Sequence, residues 1–373
     1  MIILAAAIIL SISNSGIIGK ANKAKTDSDT ANLKEYVNTL RAEWELMTAE
    51  EQEAKGSFEA YANEKLAANG YKGAVGADGE VYSNLNENVM AAIRAGIKVG
   101  DVVTGYTVAE NTYETSGEEN TAPIDSETDP TKQTVTTNTD ITWKYLGVNA
   151  NGELEIMASL STTEAAAANT KVKLSGKGGY LKGPEMLNTI CEKLYSVSGV
   201  GTARSMNIDD VNNILGYTGE KGEYGSRTNG SYTPTKEAKT IAALEGELGT
   251  TLSDRTTPDG KDLGTYYSDS YYIYKTRDVE EMKNPGNRDL VYNAKNTYWL
   301  ASPCVVAVFD CGCAYFDVRY VDSTSVGADS MFLSNDYSSC DTFAVRPVVS
   351  LKSNIQLTRN TGETEWKIEL AQN

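Results

Sequence analysis

Between Leu33 and Met47 the apolar residues fall mostly at steps of three and four: Leu33, Tyr36, Val37, Leu40, Trp44 and Met47. That spacing lines one face of an α-helix, so the segment predicts a long amphipathic helix that must bury its stripe against a partner. Thr26, Asp27, Ser28 and Asp29 supply a good helix start. Thr48-Ala49-Glu50-Glu51 reads as a capping box opening a second helix, which carries Phe58, Tyr61, Ala62 and Leu66 and closes at Asn69-Gly70. Further on the period becomes two. Residues 141–148 (ITWKYLGV) and 154–157 alternate on either side of Asn151-Gly152, which predicts a hairpin with a type I′ turn. A chain that carries both periods is an α+β protein, and 373 residues give it room for two or three domains.

Composition narrows the chemistry. There is no histidine, which removes Ser-His-Asp and Cys-His nucleophile systems, histidine-ligated zinc and histidine pH switching. Acids outnumber bases by 51 to 34, and a net charge of −17 repels phosphate backbones, so no nucleic-acid partner is expected. The five cysteines are too few for a disulfide scaffold and include no C-x-x-C pair. Cys191 stands alone in a helical pattern, while Cys304, Cys311, Cys313 and Cys340 crowd toward the C-terminus. Carboxylate chemistry, oxygen-ligated calcium and simple binding survive these cuts, and binding is favoured.

Residues 1–12 (MIILAAAIILSI) form an uncharged apolar run that as a helix spans about 18 Å, short of the roughly 30 Å of a bilayer core. A signal-peptide core is one reading, although its basic flank should come first and here Lys20, Lys23 and Lys25 follow. With Ser15-Gly16-Ile17-Ile18 and the lysines after it, this run leading into an amphipathic helix resembles type IV pilin-like and pseudopilin proteins. The resemblance implies an N-terminal helix held in a membrane or packed with other pilins in a filament.

The middle of the chain is less regular. Residues 98–103 read as a strand with a turn in it, and residues 109–140 as a long solvated loop. Leu187, Ile190, Cys191, Leu194 and Tyr195 mark a helix, and a further helix starts within residues 203–211, capped by Ser205 or Asn207 and closed at Gly216. Gly199-Val200-Gly201 is not a phosphate loop, because Arg204 stands where the fingerprint needs its third glycine. Residues 217–296 are polar and tyrosine-rich, the composition of an insertion that decorates a scaffold.

From Tyr298 onward three strands are expected, at residues 298–302, 316–321 and 344–351. Pro347 near the middle of the last implies an edge or a bulge. Between them lies a mixture of short, acidic and aromatic side chains that follows neither period and reads as surface loops. The words Trp299-Leu300-Ala301-Ser302, Val318-Arg319-Tyr320-Val321 and residues 344–351 (AVRPVVSL) resemble the C-terminal module of Gram-positive surface proteins with a C-type-lectin-like fold. That fold is related to the formylglycine-generating-enzyme architecture. In many members the module resembles the variable protein of a diversity-generating retroelement, whose rewritten codons line a ligand-binding face. The resemblance implies a ligand-binding set of Val306, Val308, Phe309, Asp310, Cys311, Cys313, Tyr315, Asp317, Tyr320, Asp322, Thr324, Asp329, Asp336, Tyr337, Ser339, Asp341 and Phe343. It implies a fixed frame as well, with Trp299 in the core and Arg319 and Arg346 held by buried carboxylates or carbonyls.

The expected organisation is a pilin-like helical stalk over 1–70, a β-rich linker region over 71–139, a C-type-lectin-like ligand-binding domain over 140–352 with the insertion 217–296, and a tail over 353–373. The expected function is a cell-surface, pilus- or membrane-associated adhesin with no catalytic residue, cofactor or metal. Its partners would be other pilins, through the N-terminal helix, and a protein or glycan on another cell or phage. Two alternatives remain. A formylglycine-generating-type copper oxidase would use Cys311 with Cys313 or Cys340, but lacks the surrounding motifs. A calcium-dependent lectin would use Asp310, Asp317, Asp322, Asp329, Asp336 and Asp341, but lacks the Glu-Pro-Asn and Trp-Asn-Asp words.

Overall fold

The computed structural model describes residues 17–83, 85–115, 133–159, 170–174, 176–216, 274–275, 284–292, 297–308, 313–323, 325–333 and 342–371. Within them the protein is a mixed α+β structure of seven α-helices and two large sheets with two small hairpins. The apolar run 1–12 and most of the insertion 217–296 lie outside the described residues.

Helix α1 (Ile17–Leu46) runs through Thr26–Asp29 instead of starting there. Its stripe is buried at Leu33, Val37 and Leu40, as the spacing predicts. The capping box at Thr48 forms with Glu51, but the helix it opens ends early. Gly56, at φ +86°, adopts a backbone angle that a side chain would resist, and Ser57 caps a new helix. The expected second helix is therefore two, α2 (Ala49–Lys55) and α3 (Phe58–Ala68). Helices α1 and α3 share a small core of Leu33, Val37, Leu40, Phe58, Tyr61, Ala62, Leu66 and Val75. Val75 comes from a hairpin of β1 (Gly73–Val75) and β2 (Val81–Ser83). The buried amide of Asn63 fastens that hairpin to α3, donating to the Val75 carbonyl and accepting from its N–H, each at 2.8 Å. Arg94, at the end of α4 (Glu87–Arg94), donates to the carbonyls of Tyr71 and Gly73.

The larger sheet has the order β16-β17-β3-β6-β7-β15-β9. Its strands are β3 (Val102–Thr104), β6 (Thr142–Val148), β7 (Leu154–Ser159), β9 (Gly201–Ser205), β15 (Pro347–Leu351), β16 (Ile355–Thr358) and β17 (Trp366–Leu370). The boundaries expected near 139 and 352 thus fall between strands of one sheet. The second sheet has the order β10-β13-β12-β11-β14-β8. It is built from β8 (Lys171–Lys173), β10 (Tyr274–Lys275), β11 (Tyr298–Val308), β12 (Cys313–Val321), β13 (Ser325–Leu333) and β14 (Thr342–Ala344).

Two cores flank these sheets. One gathers Trp143, Ile156, Val349, Trp299 and Val318 around Leu187, Ile190 and Leu194 of α5 (Gly176–Tyr195). The other gathers Met157, Val348, Tyr298, Leu300 and Val321 around α6 (Ile208–Leu215) and α7 (Arg288–Tyr292). Strands β7 and β15 have a core on each face, which is why Leu154–Ala158 is buried at every position and the alternation expected there is lost. Pro347 sits at the first residue of β15, a strand flanked by β7 and β9. It therefore lies at neither an edge nor a bulge, because a strand's first position tolerates the missing N–H.

Other expectations shift in detail. The hairpin β6–β7 forms, but with a three-residue loop: Gly152 N–H donates to the Asn149 carbonyl and Asn149 N–H to that of Glu153. Residues 109–140 are not all solvated loop. They contain the paired strands β4 (Thr112–Glu114) and β5 (Thr134–Thr136), with Val135 fully buried, while 116–132 lie outside the described residues. Residues 201–205, read partly as a helix start, form strand β9, and the helix begins after Asn207, whose side chain pairs with Asp210 in a capping box.

Side chains close two of the sheet margins. The Gln133 amide donates to the Lys173 carbonyl at 2.8 Å and accepts its N–H at 2.6 Å, copying a neighbouring strand beside β8. Along β9 the N–H groups of Ala203 and Ser205 donate to Ser196 Oγ and Asn188 Oδ1.

Replacing Asn63 by Ala leaves both polar groups of buried Val75 unpaired. Urea denaturation should show a loss of about 2 kcal/mol, against a few tenths for the exposed Asn32→Ala.

Candidate functional site

Arg346 lies where the chain leaves β14 and enters β15, and so passes from one large sheet to the other. Its side chain is 3% exposed, and its guanidinium reaches three elements. Nε donates to the Ala158 carbonyl of β7 at 2.9 Å, Nη1 to the Tyr298 hydroxyl of β11 at 2.8 Å, and Nη2 to the Leu290 carbonyl of α7 at 2.6 Å. The expectation of buried carbonyl partners holds for this arginine. Its backbone continues the stitching, since the Arg346 carbonyl accepts from Met206 N–H and the Met206 carbonyl from Ala301 N–H. Burial raises the Tyr298 phenol above its ordinary pKa, and the charge and hydrogen bond of Arg346 only partly offset that rise. Trp299, fully buried as expected, donates its indole N–H to the Val172 carbonyl at 2.8 Å.

A second polar cluster was not anticipated from the sequence. Arg204 Nη1 meets Asp210 Oδ2 at 2.6 Å, and Nη2 meets Glu155 Oε2 at 3.0 Å. Both carboxylates are nearly buried, while the arginine side chain is 30% exposed. Burial alone would lower the Arg204 pKa, but the hydrogen bond and charge of Asp210, with those of Glu155, outweigh it and hold the guanidinium firmly protonated. Ser350 Oγ donates to Glu155 at 2.9 Å, and Asn149 donates in turn to Ser350 Oγ, so β9, β7, β15 and the β6–β7 turn meet here. The partners lie 6 and 49 residues from Arg204, and only the short Arg204-to-Asp210 spacing was visible in the sequence.

Of the residues proposed for ligand binding, those within the described residues lie on the ribbon β11–β12–β13, directly after β12 at Asp322, or on β14 at Phe343. Several that were read as loop residues belong to strands: Val306 pairs with Tyr315, Val308 with Cys313, and Asp329 with Val318. Gly327 and the interspersed acids break the alternation, so β13 carries no strand period of its own. Phe309, Asp310, Cys311, Thr324, Asp336, Tyr337, Ser339 and Asp341 lie outside the described residues. Register divides the rest into groups. Val308, Cys313, Tyr315 and Leu333 are at one end of the ribbon, so the chain enters and leaves 309–312, and enters 334–341, from that end. Tyr298, Val321 and Val326 mark the other end, about 27 Å away along β12, where half-buried Asp322 follows the strand.

Tyr320 and Phe343 are brought together. Their ring centroids are 4.9 Å apart, and the Phe343 ring lies 4.5 Å from that of Trp299. Gly327, opposite Tyr320, leaves the space its ring occupies, since a Cβ there would collide with the phenol. Both aromatics are half-buried, so each packs on the core and keeps part of its surface outside. Asp317 and Arg319 are buried at 5% and 0% exposure, which places them with the frame.

No family model, curated protein or solved structure matches this chain. Among the described residues no three Cys, Asp or Glu side chains are grouped as metal ligands, and no helix is long and apolar enough to cross a membrane.

Replacing Arg346 by Ala strands two carbonyls and a phenol and should lower stability by about 3 kcal/mol in chemical denaturation. Arg346→Lys should recover little, because one ammonium cannot reproduce a planar fork aimed at three acceptors. Cys191 is fully buried, and burial pushes its thiol well above the usual range against the pull of Ser205 and Arg204. Peptide-resolved mass spectrometry at about pH 8 should find Cys191 unmodified by iodoacetamide in the native protein and modified in denaturant.

Proposed function

We propose that this chain is a surface-displayed ligand-binding protein, a pilin-like adhesin whose C-type-lectin-like head presents replaceable side chains from a fixed frame. The observation that carries this reading is the division within one stretch of sequence. Trp299, Arg319 and Arg346, from the three motif words, are 0%, 0% and 3% exposed. The strand ends that bracket 309–312, and the end of β13 that leads into 334–341, lie at one end of the ribbon between them, while Thr342, where the chain returns, is set by register at the Tyr298 end. Side chains in such segments can be exchanged without opening the core, and adaptable polar and aromatic groups make good contact surfaces. The absence of histidine and the strongly acidic charge favour binding over the catalytic and nucleic-acid readings. Helix α1, about 45 Å long at 1.5 Å per residue, fits the stalk of the pilin-like reading.

The test is to replace Phe309, Asp310, Asp336, Tyr337 and Asp341 together by Ala. Binding of the purified chain to a glycan array and to whole bacterial cells is then compared with that of the parent. The expected result is a melting temperature within about 2 °C of the parent and loss of the parent's binding. Binding that survives the five substitutions, or a parent chain that binds neither cells nor glycans, overturns the reading.

A further inference from the structure

Beside α1, away from the ribbon, is an open groove of about 680 Å³. Asp29, Asn32, Glu35 and Tyr36 of α1 line one wall, and Tyr71 and Lys72, just before β1, line the other. The Tyr36 and Tyr71 rings are stacked with centroids 4.8 Å apart and an interplanar angle of 11°. Asn69 donates to the Tyr36 hydroxyl at 2.9 Å, which fixes that ring in place. Both tyrosines are half-buried, and the four polar side chains are exposed.

We infer that this groove is a second binding site, for a neutral oligosaccharide. Its size suits a few sugar rings, and its lining is too polar for an apolar ligand. The two carboxylates only accept hydrogen bonds, Lys72 only donates, and Asn32 and the phenols do both. Sugar hydroxyls, which donate and accept at every position, match such a mixture. An anion would face Asp29 and Glu35, and a cation would face Lys72, so a ligand of either charge meets a like charge. The tyrosine pair is already stacked, with Asn69 on the Tyr36 hydroxyl, so the half-buried aromatic surface it gives the apolar C–H groups of a sugar needs little ordering on binding. Asp29, Asn32 and Tyr36 recur at three and four residues along α1, so the polar groups and the ring lie along one face of the helix.

Calorimetry and saturation-transfer NMR on the full chain test this, with chitotetraose, cellotetraose, maltotetraose, a lysine-rich decapeptide and inorganic phosphate as probes. At least one tetrasaccharide should bind and receive magnetisation from tyrosine ring protons. Asp29→Ala combined with Asn32→Ala, both exposed and helix-compatible, should weaken it by about tenfold or more at unchanged melting temperature. Tyr71→Phe, which keeps the stack, should retain most of the binding. No tetrasaccharide binding at about 10 mM, equal binding by the double variant, or binding of the peptide or phosphate alone overturns the inference. Saccharide binding lost only on ribbon substitution would overturn it too, while leaving the adhesin reading intact.

Discussion

The guanidinium of Arg346 is the joint on which the two large sheets depend. A crossover between sheets leaves backbone carbonyls facing one another without the ladder that would pair them, and buried orphans of that kind are costly. One planar cation with diverging N–H groups answers Ala158, Leu290 and Tyr298 together. No apolar side chain could do so, and the rigidity of the fork fixes the angle between β7, β11 and α7 as well as their distance. The penalty for burying the charge is offset by those hydrogen bonds and by the Tyr298 ring face, 4.9 Å from the arginine carbon.

Around that joint the fold works from inside outward. Strands β7 and β15 are enclosed on both faces, with α5 over one core and α6 and α7 over the other. The Arg204 cluster makes a second tie at the β9 side, where two carboxylates share one partly exposed arginine. These ties leave the β11–β12–β13 ribbon anchored at its Trp299 and Val321 end. The helical part is secured by other means, through the small core of α1 and α3 and the Asn63 amide.

What the sequence made legible follows the physics. The α1 stripe, the capping box at Thr48, the cap at Asn207 (one of two residues that the sequence offers) and the β6–β7 hairpin all rest on signals that neighbouring residues carry by themselves. Strand β9 was missed because Gly201-Thr202-Ala203-Arg204-Ser205 has little strand propensity of its own and is held extended by β15, some 145 residues on. Strand β13 was missed because Gly327 and Asp329 break its apolar pattern, and Gly327 is there to make room for the Tyr320 ring. The Arg204 cluster was missed because its second carboxylate, Glu155, is distant in sequence. In the candidate site, the frame residues could be read from their motif words. That register would set Asp322 and Tyr315 at opposite ends of one ribbon could not.

The Gln133 side chain beside β8 has a consequence at a larger scale. A bare strand margin is an invitation to a neighbour, and molecules at high concentration would accept it, pairing edge to edge into larger sheets. With an amide already seated against Lys173, that margin is spent within the molecule, and copies standing shoulder to shoulder stay separate there.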